Sequence, residues 1–193
     1  MKKIITISRE FGAGAGEIGQ KLAAELGYEY YDKELILMAA AKSNLDTQSL
    51  IDWDEKVPVN FGFTQSLFDF YNKPLSDKIF SAQKKVIREI AEKGNCVIVG
   101  RNANYILKEF DHCLHVFIHA DFPWRLNRMK HKMEVSSETQ ASEKIKEIDK
   151  ARIKYCSFYT NTMFGDESQY DITLNSSRLG IDKCYEVILN LSK

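Results

Sequence analysis

Strand-like apolar runs alternate with helical patterns along most of this 193-residue chain, and no other feature restricts its fold as strongly. The runs are rich in β-branched residues and have the length of buried strands. They are predicted at residues 3–8, 28–32, 96–100, 114–120 and 170–175. Because strands that alternate with helices pair in parallel, the pattern predicts an α/β fold with a parallel sheet and helices on both faces.

Helical periodicity fills much of the sequence between these runs. Helices are predicted at about residues 18–26, 33–41, 46–55, 75–92, 122–132, 137–159 and 181–191. Gly27 and Gly94 end two of them, and Pro74 opens the helix that follows it. Ser137-x-x-Gln140 forms a capping box, which places the start of the long sixth helix.

One edge of the predicted sheet carries the polar sequence motifs. Ligands of parallel sheets bind beyond the carboxyl ends of the strands. In this chain those ends are predicted at Ser8, Asp32, Gly100, Ala120 and Asn175. Charged and glycine-rich segments adjoin most of these positions, so we expect a single site at this edge.

The composition indicates one soluble domain without a broad charged surface. Hydrophobic residues make up 44% of the chain and charged residues 28%, and 27 basic residues balance 27 acidic ones. This balance disfavours a nucleic-acid surface, and no apolar stretch approaches the ~20 residues of a membrane span. The N-terminal apolar run is too short for a signal peptide, so a cytoplasmic protein is expected.

Cysteine and histidine positions give no metal signature. Cys96, Cys113, Cys156 and Cys184 form no C-x-x-C pair, so buried reduced thiols are expected rather than a zinc site or a disulfide framework. The four histidines are not grouped with acids at ligand spacing, and no metal ligand is predicted among them.

The segment after the first strand has the layout of a phosphate-binding loop. Glycines allow positive φ angles, and the helix that follows adds the positive end of its dipole. The candidate phosphate-binding residues are Arg9, Gly12, Ala13, Gly14, Ala15, Gly16 and Glu17. The alternative is a tight strand-to-helix turn whose glycines permit close packing. The segment lacks the lysine and hydroxyl of G-x-x-x-x-G-K-[ST], the pattern of a standard P-loop.

Two acidic side chains near the predicted ligand edge have two interpretations each, and a binding role is favoured for one arginine. Glu17 either complements the helix dipole or holds a metal ion, directly or through water. Asp32 either contacts a substrate or caps the helix that starts at Lys33. Arg101 directly follows a buried strand at the ligand edge, which favours a binding role.

Taken in order, several motifs resemble one known family over nearly the whole chain. They are the glycine segment, "CVIVGRNANYIL", "VFIHAD", "DKARIKYCSFY" and "YDITLNSSRLGID". The sequence resembles the cytidylate kinase-like proteins, which are relatives of the P-loop nucleoside monophosphate kinases. Cytidylate kinases carry G-R-D where this chain has Gly100-Arg101-Asn102, and family members tend to have "GGREIG", with an arginine at the position of Gly16.

The resemblance implies a fold, a reaction and a set of site residues. The fold is a three-layer P-loop kinase-like sandwich with a five-stranded parallel sheet, a single domain over 1–193. An acceptor-side insert is expected at about 43–75 and a lid at about 122–166. The reaction is phosphoryl transfer from ATP, or another nucleoside triphosphate, with Mg²⁺, to a nucleoside monophosphate or a similar small acceptor.

Within that scheme the arginines of the lid have the catalytic role. Arg125, Arg128 and Arg152 would close over the transferred phosphoryl group, because guanidinium groups suit bidentate phosphate contacts. The substrate-binding residues would be Asp32, Lys33, Arg101 and Asn102. The alternative for the i, i+3 pair Asp149 and Arg152 is an intrahelical ion pair.

Two other functions remain open from the sequence. A catalytically silent nucleotide- or anion-binding protein is favoured by the missing lysine and hydroxyl of the loop. A structural interaction domain accounts for the fold but not for the clustered arginines. The Phe-rich segment 61–71 fits core packing, a dimer contact or stacking of a base, and association into a homo-oligomer is left open. The expected partner is a small nucleotide, with no nucleic acid or membrane.

Overall fold

A five-stranded parallel sheet forms the centre of the protein, as a computed structural model shows for residues 3–32, 73–133 and 137–193. The strands are β1 (Ile4–Arg9), β2 (Glu29–Tyr31), β3 (Cys96–Val99), β4 (Cys113–His119) and β5 (Ile172–Asn175). Their order in the sheet is β2-β3-β1-β4-β5, and every neighbouring pair is parallel. The predicted α/β sheet is confirmed.

Helices connect the strands and cover the sheet. They are α1 (Ala15–Leu26), α2 (Lys73–Lys93), α3 (Ala103–Ile106), α4 (Phe122–Lys132), α5 (Glu138–Thr160), α6 (Ser176–Leu179) and α7 (Ile181–Ser192). The periodicity placed the long described helices within a few residues of these bounds. It missed α3 and α6, because four residues are too few to show a helical period.

The two faces of the sheet have separate cores, since successive side chains of a strand point to opposite sides. On one face Ile5 and Ile7 of β1 pack in a cluster with Ile18 of α1 and Ile188 of α7. On the other face, Ile4 of β1 and Ile98 of β3 pack in a cluster with Ile87 of α2 and Ile106 of α3. Helices therefore lie on both faces, as the pattern predicts.

Local signals account for several helix ends. Gly27 ends α1 in a left-handed conformation with φ of 66°, and Gly94 follows α2 with φ of 70°. The Ser137 hydroxyl accepts a hydrogen bond of 3.2 Å from the backbone N–H of Gln140, which is the contact that a capping box supplies. Helix α2 begins at Lys73, one residue before Pro74.

Several expectations concern residues outside the described ranges. They are Lys33, the helices at 33–41 and 46–55, the aromatic segment 61–71 and most of the insert at 43–75. All four cysteines are described; each is buried, and none takes part in a disulfide. None of the described helices is both long and apolar enough to cross a membrane.

Candidate functional site

A glycine loop joins β1 to α1 at the carboxyl edge of the sheet. Gly12 and Gly14 have φ of 81° and 87°, values that glycine adopts without the steric penalty of a Cβ atom. Gly14 is the N-cap of α1 and provides no side-chain hydrogen bond to the helix. The first N–H groups of α1 thus have neither an intrahelical partner nor a capping side chain.

Neighbouring helices pack closely on this loop. A Cβ atom on Gly12 would lie 2.8 Å from Cγ of Met129 on α4, and one on Gly14 would lie 2.8 Å from Cδ1 of Ile181 on α7. Gly16 differs: it has no positive φ, and its surroundings are open apart from Tyr30 Oη at 3.7 Å. Close packing therefore explains part of the glycine content, but it does not account for Gly16.

A cavity of about 410 Å³ opens over the loop. Its lining includes Arg9, Glu10, Phe11, Gly12, Gly14, Ala15, Gly16, Glu17, Gln20, Tyr30, Asp32, Arg128, Met129, Lys132 and Arg152. Among the described residues, four cationic and three acidic side chains line it, so the cavity has a positive balance before the helix dipole is added.

Arg9 and Arg152 line this cavity, and Arg101 lies close behind them. Nη1 of Arg152, on α5, donates a hydrogen bond of 3.0 Å to the backbone oxygen of Arg9, at the end of β1. Burial, together with the charge of Arg101, lowers the pKa of Arg9 to about 10. Burial also lowers the pKa of Arg152, with further lowering by the charges of Arg9, Arg125 and Arg101. The like charges destabilise one another, and an anion at this place would relieve that repulsion.

Arg101 is the most enclosed of the three arginines, with 8% of its surface exposed. Its pKa is lowered by burial and raised in part by Tyr155, which hydrogen-bonds its side chain, and by Asp32. Its Nε and Nη2 are buried and have no hydrogen-bond partner among the described residues. Buried donors normally have hydrogen-bond partners, so these two indicate that a bound ligand supplies the acceptors.

The backbone around Arg101 is strained. Gly100, Arg101 and Asn102 have φ of 85°, 58° and 52°, three successive left-handed residues directly after β3. Non-glycine residues in this region are uncommon, and they concentrate at functional sites. Asn102 is the N-cap of α3, and its buried Nδ2 has no hydrogen-bond partner, but the residue does not line the cavity.

Gly100 also leaves the space that the side chain of Arg9 occupies. A Cβ atom at residue 100 would overlap Nη1 of Arg9, so the guanidinium occupies the volume that any other side chain would need. The absence of a side chain at the end of β3 lets the cation at the end of β1 lie across the neighbouring strand.

Arg125 of α4 packs against the glycine loop. It is 6% exposed and does not line the cavity. Its Nε donates to Ala120 O and its Nη1 to Phe11 O, each at 3.0 Å, and Nη1 also contacts Asp149 Oδ2 at 2.5 Å. Its contacts fix α4 to the glycine loop, while the catalytic role expected for Arg125 stays a prediction.

Asp149 likewise serves the loop. Its Oδ1 accepts a hydrogen bond of 2.8 Å from the backbone N–H of Phe11, while its Oδ2 pairs with Arg125. The sequence suggested an ion pair with Arg152, three residues further along α5. Asp149 raises the pKa of Arg152 electrostatically, and its carboxylate oxygens accept hydrogen bonds from the loop and from α4.

Glu17 links α1 to α4 at the opening of the cavity. Its Oε1 accepts hydrogen bonds from Nη2 of Arg128 and from Nζ of Lys132, both on α4. The carboxylate lies in the first turn of α1, so it complements the helix dipole and two cations together. In the described residues, no group of three His, Cys, Asp or Glu side chains is arranged to hold a metal ion.

Most of the predicted site residues thus converge at one edge, and the structure adds others. The predicted loop residues other than Ala13 line the cavity with Asp32, Arg128 and Arg152, while Ala13 is buried and Arg101 lies behind the cavity. Sequence reasoning missed Tyr30, two positions before Asp32, although residues two apart on a strand share a face. It also missed Lys132, although its i, i+4 spacing to Arg128 places both on one side of a helix.

Comparison with known proteins agrees with this geometry. The sequence profile of the cytidylate kinase-like family matches residues 4–178. The chain belongs to this family. No curated protein matches the sequence.

Solved structures show the same architecture. An uncharacterized protein from Eubacterium ventriosum is 28% identical, with a TM-score of 0.76 over 98% of this chain and 97% of its own. Shikimate kinase from Acinetobacter baumannii, solved with shikimate, is 14% identical, with a TM-score of 0.52 over 98% and 92%. YorR from Bacillus subtilis, solved with phosphorylated GDP, is 15% identical, with a TM-score of 0.50 over 97% and 94%. The fold is that of a nucleotide-kinase-like P-loop protein.

Proposed function

We propose that this family member is a phosphotransferase that moves the terminal phosphoryl group of ATP, or of another nucleoside triphosphate, to a nucleoside monophosphate or a similar small acceptor. One observation carries the proposal. Arg9, Arg101 and Arg152 are held together at the strand ends beside the glycine loop, with lowered pKa values and two buried donors of Arg101 unsatisfied. Such a cluster is costly without an anion, and polyphosphate matches it in charge and in oxygen geometry.

The triphosphate would lie on the glycine loop. The amides of Gly14 to Glu17 and the dipole of α1 act without any side chain, so they remain available although the loop lacks a lysine. Arg9 and Arg152 would meet the phosphoryl oxygens from the base of the cavity. The acceptor would enter from the side of Asp32 and Arg101, at the ends of β2 and β3.

Mg²⁺ would reach the site as a complex with the nucleotide. The loop offers no hydroxyl for it, and no group of three ligands is preformed among the described residues. Magnesium in kinase sites is held mainly by phosphate oxygens and one or two carboxylates, and Asp32 is a carboxylate close to Arg9 and Arg101. When bound, the ion neutralises part of the phosphate charge.

The residues of the chain would then position and stabilise the transfer. An acceptor oxygen forms a bond to the terminal phosphorus while the bridging bond to the nucleoside diphosphate breaks, and the diphosphate keeps the electron pair. Negative charge spreads over three equatorial oxygens during this step. Guanidinium groups in a partly enclosed site stabilise that charge, because they are already oriented before the reaction begins.

A second function has its own support. A silent nucleotide- or anion-binding protein would need the same cluster but no catalysis, and the missing lysine and hydroxyl of the loop favour it. In that case ligand binding would stabilise the fold without turnover.

Binding and turnover measurements separate the two functions. Melting curves with a panel of nucleoside triphosphates and Mg²⁺ identify the donor, and a coupled assay for nucleoside diphosphate then tests a panel of monophosphates. We expect at least one pair to turn over, and Arg9→Met to abolish both stabilisation and turnover. Stabilisation without turnover would support the silent binder, and no stabilisation by any nucleotide would contradict both.

A further inference from the structure

The guanidinium of Arg128 lies over the amino end of α1, where the glycine loop ends. Its Nη2 is 3.8 Å from the point where a Cβ atom of Gly14 would stand. The side chain packs over the ring of Trp124 at 5.4 Å and is 19% exposed, so its position is well defined. A cation at this point faces the same phosphates that a loop lysine would face.

Glu17 holds Arg128 and Lys132 through a single oxygen. Both cations donate to Oε1, and all three side chains line the cavity. The helix dipole alone favours a carboxylate in this first turn, so the charges of Arg128 and Lys132 are not needed to stabilise Glu17 there. With its two cationic donors, Oε1 of Glu17 resembles a phosphate oxygen that is bound by two cations.

We infer that Arg128, assisted by Lys132, replaces the missing loop lysine, and that the carboxylate of Glu17 occupies their phosphate position until a triphosphate displaces it. This inference rests on the proposed function. It makes Arg128 a binding residue for the donor phosphates and Glu17 a positioning residue that competes with them. The loop has no lysine of its own, and Arg128 of α4 would supply the cation in its place.

The opposing possibility gives the opposite sign. If Glu17 instead holds Mg²⁺ of the bound nucleotide, its loss must weaken binding of the magnesium complex. If it competes for the cations, its neutralisation must strengthen binding of a polyphosphate, with or without the metal. The substitution Glu17→Gln keeps the side-chain volume and removes only the charge.

Isothermal titration with inorganic tripolyphosphate free of metal, and separately with ATP and Mg²⁺, tests the inference. We expect Glu17→Gln to tighten tripolyphosphate binding about three- to tenfold, since two partly exposed ion pairs no longer compete. Arg128→Met should weaken it about ten- to a hundredfold, the loss of one charge-assisted contact. Glu186→Gln is the control, because it removes an exposed ion pair with Lys183 on α7.

The double variant Glu17→Gln, Arg128→Met shows whether the two residues act through each other. We expect most of the tightening to disappear in that background, because Arg128 is the cation that Glu17 restrains. Melting curves of every ligand-free variant confirm that it is folded.

The possible results separate the two levels of the argument. Weaker or unchanged tripolyphosphate binding by Glu17→Gln, or full binding by Arg128→Met, overturns the inference while the proposed function stands. No binding of either probe by the parent protein or by any variant overturns the proposed function, and the inference with it.

Discussion

Replacing Arg101 by Met should stabilise the protein and impair its ligand binding. The structure gives the reason: the guanidinium is buried, two of its donors lack partners, and it lies within the fields of Arg9 and Arg152. Methionine has a similar length and no charge. Its backbone would keep the same φ of 58°, so strain at this position is unchanged by the substitution.

The size of the effect follows from three contributions. Burying unsatisfied donors costs about 1–3 kcal/mol, and exchanging a buried charge for an apolar group is often neutral or stabilising by about 1–4 kcal/mol. Against this, the hydrogen bond to Tyr155 is lost, although Tyr155 Oη keeps its 2.9 Å bond to Gln83 Oε1. We expect a net gain of about 1–2 kcal/mol, which raises the melting temperature by about 2–8 °C in a domain of this size.

Melting curves with and without a nucleoside monophosphate are the assay. Arg101→Met should melt higher than the parent protein without ligand, while its affinity for the monophosphate falls more than tenfold. Arg125→Met is the matched control, because Arg125 is also buried but the donors described above all have hydrogen-bond acceptors. It should lose about 3–5 kcal/mol, the usual cost of breaking a buried pair. A lower melting temperature for Arg101→Met would refute the argument that ligand binding, not stability, explains this arginine.

Further predictions concern the loop, the thiols and the lid. Gly14→Ala should lower the free energy of unfolding by about 1–3 kcal/mol because of its φ of 87°, whereas Gly16→Ala should change it by less than about 1 kcal/mol; urea titrations that ranked them in reverse order would contradict the backbone assignment. Gly16→Arg should restore tripolyphosphate binding to Arg128→Met, with Gly16→Gln as its uncharged control. Burial raises the pKa of the Cys96 thiol to about 12, so a disulfide reagent at pH 8 should label no cysteine until denaturant is added. If residues 122–166 move as a lid, hydrogen exchange at the carboxyl end of α4 should slow when nucleotide binds; full protection in the free protein would contradict a lid.

The sequence predicted the part of the fold that depends on local pattern. β-branched runs and helical periods gave the described strands and long helices, and Ser137 located the start of α5 through a short-range hydrogen bond. Strand ends then placed Arg9 and Arg101 at one edge, because parallel strands align their carboxyl ends. These inferences need only neighbouring residues and the rule for parallel sheets.

The partners within the site could not be predicted in the same way. Asp149 contacts a loop 138 residues away, and Glu17 contacts cations 111 and 115 residues away. Arg125 and Arg128 have the same residue type on the same helix, yet one is enclosed by backbone carbonyls and the other faces the cavity. Only the packing of α4 against the loop decides this difference, and no spacing in the sequence encodes it.

A side chain at residue 100 would overlap Arg9, so the residue types at these two positions, distant in the sequence, depend on each other. Any substitution of Gly100 would require the guanidinium of Arg9 to move out, so the two positions should vary together among relatives that fold alike. Gly100→Ala is thus a way to displace the Arg9 cation while every charge in the chain is retained. That variant would separate the position of the charge from its presence, which no substitution of Arg9 itself can do.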